Sequence, residues 1–398
     1  MSTASKHLKI VLTGGGSGGH ITPLQAVAAE LKRLHANCEL VYIGQKDDGL
    51  ADIPAKDPNF DAVYSIRTGK FRRYHGEGWR QLLDIKTWLL NIRDFFFVLI
   101  GLFQSRKLLK QLQPDGIFVK GGFVGVPVGL AAANLHIPFV THDSDAVPGL
   151  ANRIISRWAS CHAVALPVET YSYPAAKTVQ TGIPLQANFK PVTAALRKQY
   201  RHEIDVPDSA KLLFIIGGGL GAERINLAMA EAVPHLMHEF PNLYVVHGAG
   251  RAHEDKIKAI YGQALSESGQ KRVRVFGYID DVYRYSGAAD IVVTRAGATN
   301  LAEFALQGKA CIVVPSAVLA AGHQVKNAAY LASQHAAVVL DEDDLEADPN
   351  RLASQASSLL HDEKQIDELG AALAKFGHKA AAQQLSKLIL KYAGQGRD

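Results

Sequence analysis

Short apolar segments alternate along the chain with stretches whose apolar residues recur at helical spacing. The strand-like segments of the first half are Lys9–Thr13, Leu40–Gly44, Gly116–Gly121 and Pro138–His142. The first is followed by a glycine-rich turn and then by apolar residues at helical spacing, with Pro23 near their start. A strand, a glycine turn and a helix in this order are typical of a parallel sheet covered by helices. The pattern therefore predicts an α/β fold.

The same order of elements returns in the second half. Leu212–Ile216 leads into the glycine-rich residues 217–222 and a helix that we expect to begin near Arg224. Further strands are predicted at Leu243–His247, Val273–Phe276, Ile291–Thr294 and Ala310–Val314. A chain of 398 residues also exceeds the size at which one hydrophobic core stops growing. Both observations predict two doubly wound halves.

The connection between the halves is expected within residues 180–208, which are rich in proline, amide and charged side chains. We expect a short helix to follow it. We place the domain boundary at Leu185, so that residues 1–184 form the N-terminal domain and residues 185–375 the C-terminal domain. The acidic run Asp341–Asp348 is expected to be a solvated loop.

Composition limits the classes of function. Hydrophobic residues are 47% and charged residues 20% of the chain, which is ordinary for a globular protein, and the net charge of +5 is too mild for a dedicated nucleic-acid binder. Cys38, Cys161 and Cys311 lie far apart in apolar runs, so we expect buried, reduced thiols in a cytosolic compartment. No apolar signal segment precedes the first strand, and Phe95–Phe103 is shorter than the roughly 20 residues that span a bilayer.

The two glycine-rich turns are candidate phosphate sites. Glycine allows main-chain N–H groups to approach an anion at the N-terminus of a helix. Both turns fit the dinucleotide pattern G-x-G-x-x-G/A, but an NAD site also needs a carboxylate at the end of the second strand. The corresponding positions, Gln45 and Gly248, supply none. A phosphate-bearing ligand is therefore the leading interpretation. A dehydrogenase is a minor alternative, and the purely structural alternative is that both turns are tight connections that bind no ligand.

A set of short motifs occurs in a fixed order over nearly the whole chain. The motifs are Gly15-Gly16-Ser17-Gly18-Gly19-His20, Lys120-Gly121-Gly122-Phe123, His142 with Pro148-Gly149-Leu150-Ala151-Asn152, Gly217-Gly218-Gly219-Leu220-Gly221-Ala222, Arg295-Ala296-Gly297-Ala298 with Glu303, and His323-Gln324 with Asn327-Ala328. Together they resemble the MurG glycosyltransferases. The resemblance implies a GT-B fold, in which two Rossmann-like doubly wound domains face each other across a cleft and the last helix, within residues 376–398, returns to the first domain.

The resemblance also implies an activity. It is the inverting, metal-independent transfer of N-acetylglucosamine from UDP-N-acetylglucosamine (UDP-GlcNAc) to undecaprenyl-diphospho-muramoyl-pentapeptide, which converts lipid I to lipid II in peptidoglycan synthesis. Three alternatives stay open: a related glycosyltransferase with another glycolipid acceptor, a UDP-GlcNAc 2-epimerase on a similar scaffold, and a binding module that has lost catalysis.

On this resemblance the C-terminal half holds the donor. The expected donor-binding residues are Gly217, Gly218, Gly219, Gly221, Asn226, Ile279, Glu303, His323 and Gln324. The glycines would face the diphosphate, with Asn226 opening the helix behind them, the Ile279 backbone would address the uracil, and Glu303 would accept hydrogen bonds from the ribose. His323 and Gln324 would read the sugar hydroxyls, a capping role being the alternative for His323. Gly219 and Leu220 replace the Ser and Gln of the usual family loop, which removes two polar donors.

On the same resemblance the N-terminal half holds the acceptor. His20 is the candidate catalytic base, because an imidazole of near-neutral pKa can take a proton from an attacking hydroxyl. A helix-start histidine bonded to a neighbouring carbonyl is its structural alternative. The expected acceptor-binding residues are Ser17, Gly18, Gly19, His142, Asp143, Asp145 and Asn152. Residues 142–145 depart from the family's His-Glu-x-Asn segment, and Gln186 stands where the family usually has arginine.

Asp143-Ser144-Asp145 also matches the D-x-D pattern by which another glycosyltransferase class holds a divalent metal. The order of the motifs puts these residues on the acceptor half, so we reject a catalytic metal here. No cofactor is expected.

Basic and aromatic residues interleave between Arg67 and Lys110, a pattern that suits an anionic membrane surface. The basic residues beyond Arg67 are Lys70, Arg72, Arg73, Arg80, Lys86, Arg93, Arg106, Lys107 and Lys110. Val98, Leu99 and Leu102 are expected to pack on the first sheet instead. The expected partners are UDP-GlcNAc, a polyprenyl-diphosphate-linked acceptor and the membrane surface, with no nucleic acid, and the expected location is peripheral on the cytoplasmic side of the membrane.

Overall fold

Two units, each with its own parallel sheet, make up the protein. The computed structural model describes residues 7–15, 18–47, 51–69, 85–218, 222–316, 322–348 and 350–394. One unit consists of Met1–Ala187 together with His378–Asp398, and the other of Asn188–Gly377. The C-terminal helix therefore belongs to the same unit as the first strand.

The sheet of the first unit has seven parallel strands in the order β3-β2-β1-β4-β5-β6-β7. They are β1 Lys9–Thr13, β2 Glu39–Gln45, β3 Ala62–Ile66, β4 Gly116–Val119, β5 Phe139–Asp143, β6 Cys161–Val164 and β7 Thr178–Gln180. Val11 on β1 is paired with Val41 on β2 and with Ile117 on β4. The chain thus winds in opposite directions on the two sides of β1, and sheets of this kind bind ligands at the carboxyl ends of the strands beside such a switch point.

The sheet of the second unit has six parallel strands in the order β10-β9-β8-β11-β12-β13. They are β8 Lys211–Ile216, β9 Leu243–Gly248, β10 Val273–Phe276, β11 Ile291–Thr294, β12 Ala310–Val313 and β13 Val338–Val339. Ile215 on β8 is paired with His247 on β9 and with Val293 on β11. The switch point of this unit therefore lies between β8 and β11.

The helices follow in chain order. They are α1 Gly18–Leu34, α2 Asp52–Lys56, α3 Ile85–Leu112, α4 Gly125–Asn134, α5 Leu150–Ile155, α6 Ala194–Glu203, α7 Glu223–Glu239, α8 Glu254–Ala264, α9 Glu267–Gln270, α10 Val282–Ala288, α11 Ala298–Gln307, α12 His323–Ser333, α13 Glu342–Ala347, α14 Arg351–His361, α15 Glu363–Ala374 and α16 Ala381–Gly394. Three 3-10 turns, at Ser156–Trp158, Val168–Thr170 and Ala175–Lys177, complete the first unit's described elements.

Both sheets are covered by helices on both faces. Successive strand residues point to opposite sides, so neighbouring residues of one strand lie in different cores. In the first unit, Ile10 and Leu12 lie in one core with α1 and α16, whereas Val11 lies in a second core with α3 and α4. In the second unit, Leu213 packs with α7 and α14, and Phe214 packs with α11 and α12. Continuous apolar strands such as β8 are the pattern that a parallel sheet covered on both sides requires.

The predicted α/β fold with two doubly wound halves is confirmed. The predicted strands Lys9–Thr13, Val273–Phe276 and Ile291–Thr294 match β1, β10 and β11 residue for residue. The expected short helix after the connection is α6. The prediction of a solvated loop over the acidic run was wrong, because most of that run forms α13 and the Glu342 carboxylate is buried against Arg295.

Helix α3 exposes an apolar surface, which we call the α3 apolar face. It consists of Leu89, Ile92, Phe95, Phe96, Leu99, Ile100 and Phe103. Spacings of three and four residues put most of these side chains on one side of the helix. The expectation that Leu99 packs on the sheet was wrong, since it is 37% exposed, whereas Leu102 does pack against the core. Among the described residues, no helix combines the length and the apolarity that crossing a bilayer requires.

Candidate active site

His20 lies in the first turn of α1, at the switch point of the first unit. A β-carbon placed on Gly121, after β4, would lie 3.8 Å from His20 Nε2 and 3.6 Å from Asn152 Nδ2. Gly121 has a φ of +108°, which is open to glycine and strained for other residues. The His20 ring and the Asn152 amide therefore lie at van der Waals distance from this position, and the positive φ is what requires glycine there.

The surroundings of His20 favour its neutral form. Burial, followed by the positive charge of Lys120, lowers the pKa of His20 to about 4, while Asp145 and a hydrogen bond with the Gly15 backbone act in the opposite direction. A neutral imidazole at physiological pH has a nitrogen lone pair that can accept a proton. A ring that is neutral in this way is in the protonation state that the predicted role of a general base requires.

Lys120 was quoted in the sequence only as part of a motif, and the structure places it inside the site. The residue is 3% exposed, and its Nζ donates to Ser144 Oγ at 2.8 Å. Burial lowers the pKa of Lys120 to about 8, although the carboxylates of Asp145 and Asp143 raise it. A lysine is almost never fully buried without a partner, so a buried lysine at a switch point is a candidate functional residue. Its burial could not be predicted from the sequence alone.

His142, Asp143 and Asn152 form the buried wall behind these groups. His142 Nε2 is bonded to the Gly182 carbonyl at 2.9 Å, and burial lowers the pKa of His142 well below its usual value. Asn152 Nδ2 donates to the His142 carbonyl at 2.9 Å, while Asn152 Oδ1 and His142 Nδ1 are buried with no hydrogen-bond partner among the described residues. A buried acceptor such as Asn152 Oδ1 costs free energy unless a ligand or water satisfies it.

The Asp143 carboxylate organises the loop that follows β5. Its Oδ1 accepts a hydrogen bond from the Gly149 N–H and its Oδ2 one from the Tyr173 hydroxyl, both at 2.9 Å. Burial raises the pKa of Asp143. The Tyr173 ring is stacked on His162, and His162 Nδ1 is bonded to Thr141 Oγ1 at 2.8 Å. These contacts give Asp143 a structural function; its contact with an acceptor stays a prediction.

In the second unit the glycine turn after β8 is described as far as Gly218. Gly218 has a φ of +91°, and a β-carbon there would lie 3.8 Å from Asn300 Nδ2 on α11. Asn226 on α7 is fully buried; its Nδ2 donates to the Ala249 carbonyl at 2.7 Å and its Oδ1 is bonded to His247 Nε2 at 3.1 Å. Asn226 therefore fixes α7 against the end of β9, behind Gly217 and Gly218, and its contact with a donor stays a prediction.

Glu303 lies on α11, which begins at the end of β11. Burial raises the pKa of Glu303 to about 8. A carboxyl group that is costly to ionise in the free protein can be stabilised as the carboxylate by hydroxyl donors from a ligand. The Ile279 side chain is buried in the core of the second unit, next to Gly248. Its side chain serves packing, which leaves its backbone as the group available for recognition.

His323 and Gln324 begin α12, directly after Gly322, whose φ is +72°. Gln324 Oε1 accepts a hydrogen bond from the Ser316 N–H at 3.0 Å, and Asn327 Nδ2 donates to the Ala296 carbonyl at 3.1 Å. The amide groups of this helix start thus hold it to the loops after β11 and β12. Three of the expected binding residues, Ser17, Gly219 and Gly221, lie outside the described residues, and Gly18 and Gly19 open α1.

Arg295 and Glu342 are a pair that the sequence analysis missed. Arg295 Nη1 lies 2.6 Å from Glu342 Oε1 and also donates to the Val314 carbonyl at 3.2 Å. Both residues are less than a tenth exposed. The pair joins the ends of β11 and β12 to α13 and so fixes the turn from which α11 and Glu303 start. The run 341–348 contains several acidic residues, and no spacing rule in the sequence identifies Glu342 as the one that pairs with Arg295.

Two family models match the chain. They are the Glycosyltransferase family 28 N-terminal domain over residues 10–164 and the Glycosyltransferase family 28 C-terminal domain over residues 212–385. The UDP-N-acetylglucosamine--N-acetylmuramyl-(pentapeptide) pyrophosphoryl-undecaprenol N-acetylglucosamine transferase of Geotalea daltonii is 32% identical over 376 residues, which are 94% of this chain and 95% of that protein. The crystal structure of MurG from Acinetobacter baumannii matches with 26% identity and a TM-score of 0.71, over 96% of this chain and 99% of that one.

A UDP-GlcNAc 2-epimerase from Neisseria meningitidis has a TM-score of 0.62 at 14% identity, over 96% of this chain and all of that one, so it shares the fold alone. The two sheets and the two matched domains define a GT-B glycosyltransferase of family 28. Within this class the chain belongs to the MurG family of UDP-N-acetylglucosamine-dependent transferases.

Proposed function

We propose that this protein transfers N-acetylglucosamine from UDP-GlcNAc to undecaprenyl-diphospho-muramoyl-pentapeptide, the lipid I to lipid II step of peptidoglycan synthesis. The relative from Geotalea daltonii carries this reaction in its name, and the match extends over nearly the whole of both chains. The observation within the molecule that supports the proposal best is His20 Nε2 beside Gly121, held as a neutral imidazole at the switch point of the first unit.

In the proposed reaction the first unit binds the acceptor. The muramoyl C4 hydroxyl gives its proton to His20 Nε2 as its oxygen forms a bond to the anomeric carbon. The bond from that carbon to the β-phosphate oxygen breaks, and UDP leaves, so a single displacement inverts the anomeric centre. Asn152 Oδ1 is a buried oxygen near His20 that can accept a hydrogen bond. We assign it to a hydroxyl or amide group of the lipid substrate.

The second unit binds the donor in this proposal. Glu303 accepts hydrogen bonds from the ribose hydroxyls, and the backbone N–H groups of Gly217 and Gly218 face the diphosphate at the start of α7. The partial positive charge of a helix N-terminus stabilises the negative charge of the leaving UDP. His323 and Gln324 address the transferred sugar.

We propose that the transfer needs no metal. Both Asp143 oxygens already accept hydrogen bonds, from Gly149 and Tyr173, which disfavours the D-x-D interpretation of residues 143–145. The experiment is the same transfer assay in excess EDTA. Retained activity supports the proposal, whereas activity that is lost in EDTA and restored by Mg²⁺ or Mn²⁺ contradicts it.

A donor-by-acceptor screen in detergent tests the main proposal. Purified protein is incubated with several UDP-sugars and with the muramoyl-pentapeptide lipid or diacylglycerol, and UDP and the glycolipid product are quantified. UDP release that requires UDP-GlcNAc together with the muramoyl lipid supports the proposal. Release with diacylglycerol alone would assign another acceptor, and conversion of UDP-GlcNAc without an acceptor would assign a 2-epimerase.

We further propose that the protein binds the cytoplasmic face of the membrane through the α3 apolar face. Single exposed apolar residues are ordinary on soluble proteins, but here Phe, Leu and Ile side chains are exposed together on one helix. A contiguous apolar patch of this kind is typical of an interaction surface. Arg93 contacts the Phe97 ring at 5.4 Å, so a basic group lies beside this face. The nucleotide-sugar donor and the three buried, unpaired cysteines both fit the cytoplasmic side.

Vesicle flotation tests this membrane proposal. The double variant Phe96→Ser, Phe103→Ser should float poorly with anionic vesicles and should lose turnover on the lipid acceptor, while UDP affinity is unchanged. Val179→Ser is the matched control, because Val179 is an exposed apolar residue on the edge strand β7, outside α3. The variant Arg72→Glu, Arg73→Glu, Arg80→Glu should weaken the same binding, and salt should do so for the parent. A parent protein that stays unbound on anionic vesicles would contradict the proposal.

A further inference from the structure

Three buried polar side chains in the second unit form one series of hydrogen bonds, which we call the His247 network. Tyr261 on α8, His247 on β9 and Asn226 on α7 are each no more than 3% exposed. The Tyr261 hydroxyl lies 3.0 Å from His247 Nδ1, and His247 Nε2 lies 3.1 Å from Asn226 Oδ1. Asn226 Nδ2 donates to the Ala249 carbonyl at 2.7 Å. The network thus joins two helices through the end of β9.

The last member of the network fixes the direction of its hydrogen bonds. The Ala249 carbonyl can only accept, so Asn226 directs its amide nitrogen there and its oxygen toward His247. That oxygen also only accepts, so His247 carries its proton on Nε2, and the lone pair of Nδ1 accepts from the Tyr261 hydroxyl. Burial lowers the pKa of His247 to about 3, which keeps the ring neutral. Both ring nitrogens therefore have a partner in a single tautomer.

Asn226 also closes the first turn of α7. Its backbone N–H donates to the Ala222 carbonyl at 2.8 Å, while its side chain holds the same residue to the end of β9. Gly217 and Gly218 precede this turn in the sequence, and the proposed function puts the donor diphosphate here. A displacement of Asn226 would therefore displace the main-chain groups that face the phosphates.

The end of β9 supports the segment around Ile279 by different contacts. A β-carbon on Gly248 would lie 3.3 Å from Ile279 Cδ1, and the Ala249 N–H donates to the Phe276 carbonyl at 2.9 Å. These contacts are made by the main chain and by apolar packing, without the three side chains of the His247 network. The network therefore acts on the phosphate part of the site, and the segment expected to meet the uracil is held separately.

We propose that His247 and Tyr261 are positioning residues for the diphosphate of the donor: acting through Asn226, they hold the first turn of α7 against β9 in the place where its main-chain groups meet the phosphates. The identity of the ligand rests on the proposed function. The direction of the hydrogen bonds rests on the structure of the second unit alone. In this inference Asn226, which the sequence analysis expects to bind the donor, acts on it through the main chain of α7.

The first measurement is the tautomer of His247 in the full-length protein with ¹⁵N-labelled histidine. The signal is assigned by its loss in His247→Gln, and the ¹⁵N chemical shifts of the two ring nitrogens distinguish the tautomers. We expect the proton on Nε2. A proton on Nδ1 would reverse the bonds to Tyr261 and Asn226 and would overturn the inference.

The second measurement is the affinity for UDP, by calorimetry, and for uridine, by ligand-observed NMR. Tyr261→Phe removes one hydroxyl, and Asn226→Asp keeps the side-chain shape but sets an oxygen against the Ala249 carbonyl. UDP affinity should fall about threefold to tenfold in Tyr261→Phe, the equivalent of one hydrogen bond, and further in Asn226→Asp. Uridine affinity should not change. Tyr244→Phe is the matched control, because Tyr244 is a partly buried tyrosine near the other end of β9.

The comparison of the two ligands separates positioning from general support of the fold. A loss of UDP affinity with unchanged uridine affinity supports the inference, whereas a merely structural role would lower Tm without distinguishing the ligands. UDP affinity equal to that of the parent in both variants, or equal losses for UDP and uridine, would overturn it. A parent protein that binds no UDP would contradict the proposed function instead, so the two failures are distinguishable. Tyr261→Phe removes a single oxygen atom and gives the answer even where Asn226→Asp fails to fold.

Discussion

The two units carry a glycine turn at equivalent switch points, yet the polar groups beside the two turns differ in kind. Beside the first turn, Lys120 and Asp143 are buried and His20 is partly buried, and the pKa values of all three are shifted. Beside the second, Arg295 is paired with Glu342, and Glu303 is the carboxyl group whose pKa burial raises. This difference agrees with the proposal that the first site moves a proton and the second binds hydroxyls and phosphate.

The difference follows from what each site must stabilise. A base must be able to change its charge during the reaction, so its neighbours have to hold it in the form that accepts a proton. A nucleotide site needs fixed donors and acceptors, and the amides of Asn226, Gln324 and Asn327 are held by hydrogen bonds to neighbouring groups. Variants in the two units should therefore affect different steps.

The largest effect is expected for His20→Ala, which removes the proposed base. Turnover should fall by about 10²–10⁴-fold, the range that general-base catalysis supplies. UDP binding, measured by calorimetry, should be unchanged, because no donor contact is lost. His7→Ala is a control, since His7 is an exposed histidine of the same unit. Normal turnover in His20→Ala would assign this histidine to structure and would remove the contrast between the two sites.

A smaller effect, on UDP binding and not on the chemical step, is expected for Glu303→Ala. UDP binding should weaken by roughly 1–3 kcal/mol, the contribution of hydrogen bonds to a charged partner. Calorimetry at pH 8.5 measures it best, because the carboxylate is then mostly ionised. Glu231→Ala, an exposed acid on α7 of the same unit, is the control. A parent protein without UDP affinity would contradict the donor assignment for the whole second unit.

The sequence allowed the prediction of the strands and of both glycine turns, because continuous apolar runs and glycine are local signals. Lys120 and Glu342 could not be assigned in this way. Their burial depends on strands that are neighbours in the sheet and distant in the chain, such as β1 beside β4 and β12 beside β13. The exposure of Leu99 likewise depends on how α3 lies on its unit, which apolar spacing alone does not fix.

The pH dependence of UDP binding sharpens the comparison further. Since burial raises the pKa of Glu303 to about 8 in the free protein, the group is mostly protonated at pH 7, and ribose hydroxyls that donate to the carboxylate must displace that proton. UDP affinity should therefore rise about fivefold to tenfold between pH 7 and pH 8.5, by the titration of one group. Calorimetry in buffers of different ionisation enthalpy should detect proton release at pH 7, and Glu303→Gln should abolish it. An affinity that falls over this range would contradict the role of Glu303.

The smallest effect is expected on the stability of the second unit in the absence of added nucleotide. Glu303 keeps its proton up to about pH 8 in the folded protein but loses it near its ordinary value of 4.5 in the unfolded chain. Between these values the folded state binds more protons, so the contribution of Glu303 to the free energy of unfolding falls as the pH rises and is lowest above pH 8.

Glu303→Gln removes the cost of ionising a buried carboxyl group. Because the side chain is partly exposed, we expect the free energy of unfolding at pH 8.5 to rise by only about 1 kcal/mol, or Tm by about 2–4 °C. The gain should vanish near pH 4.5, where the unfolded chain holds the proton as well. Thermal unfolding of parent and variant at the two pH values measures this gain. A variant less stable than the parent at pH 8.5 would show that the protein itself already stabilises the Glu303 carboxylate.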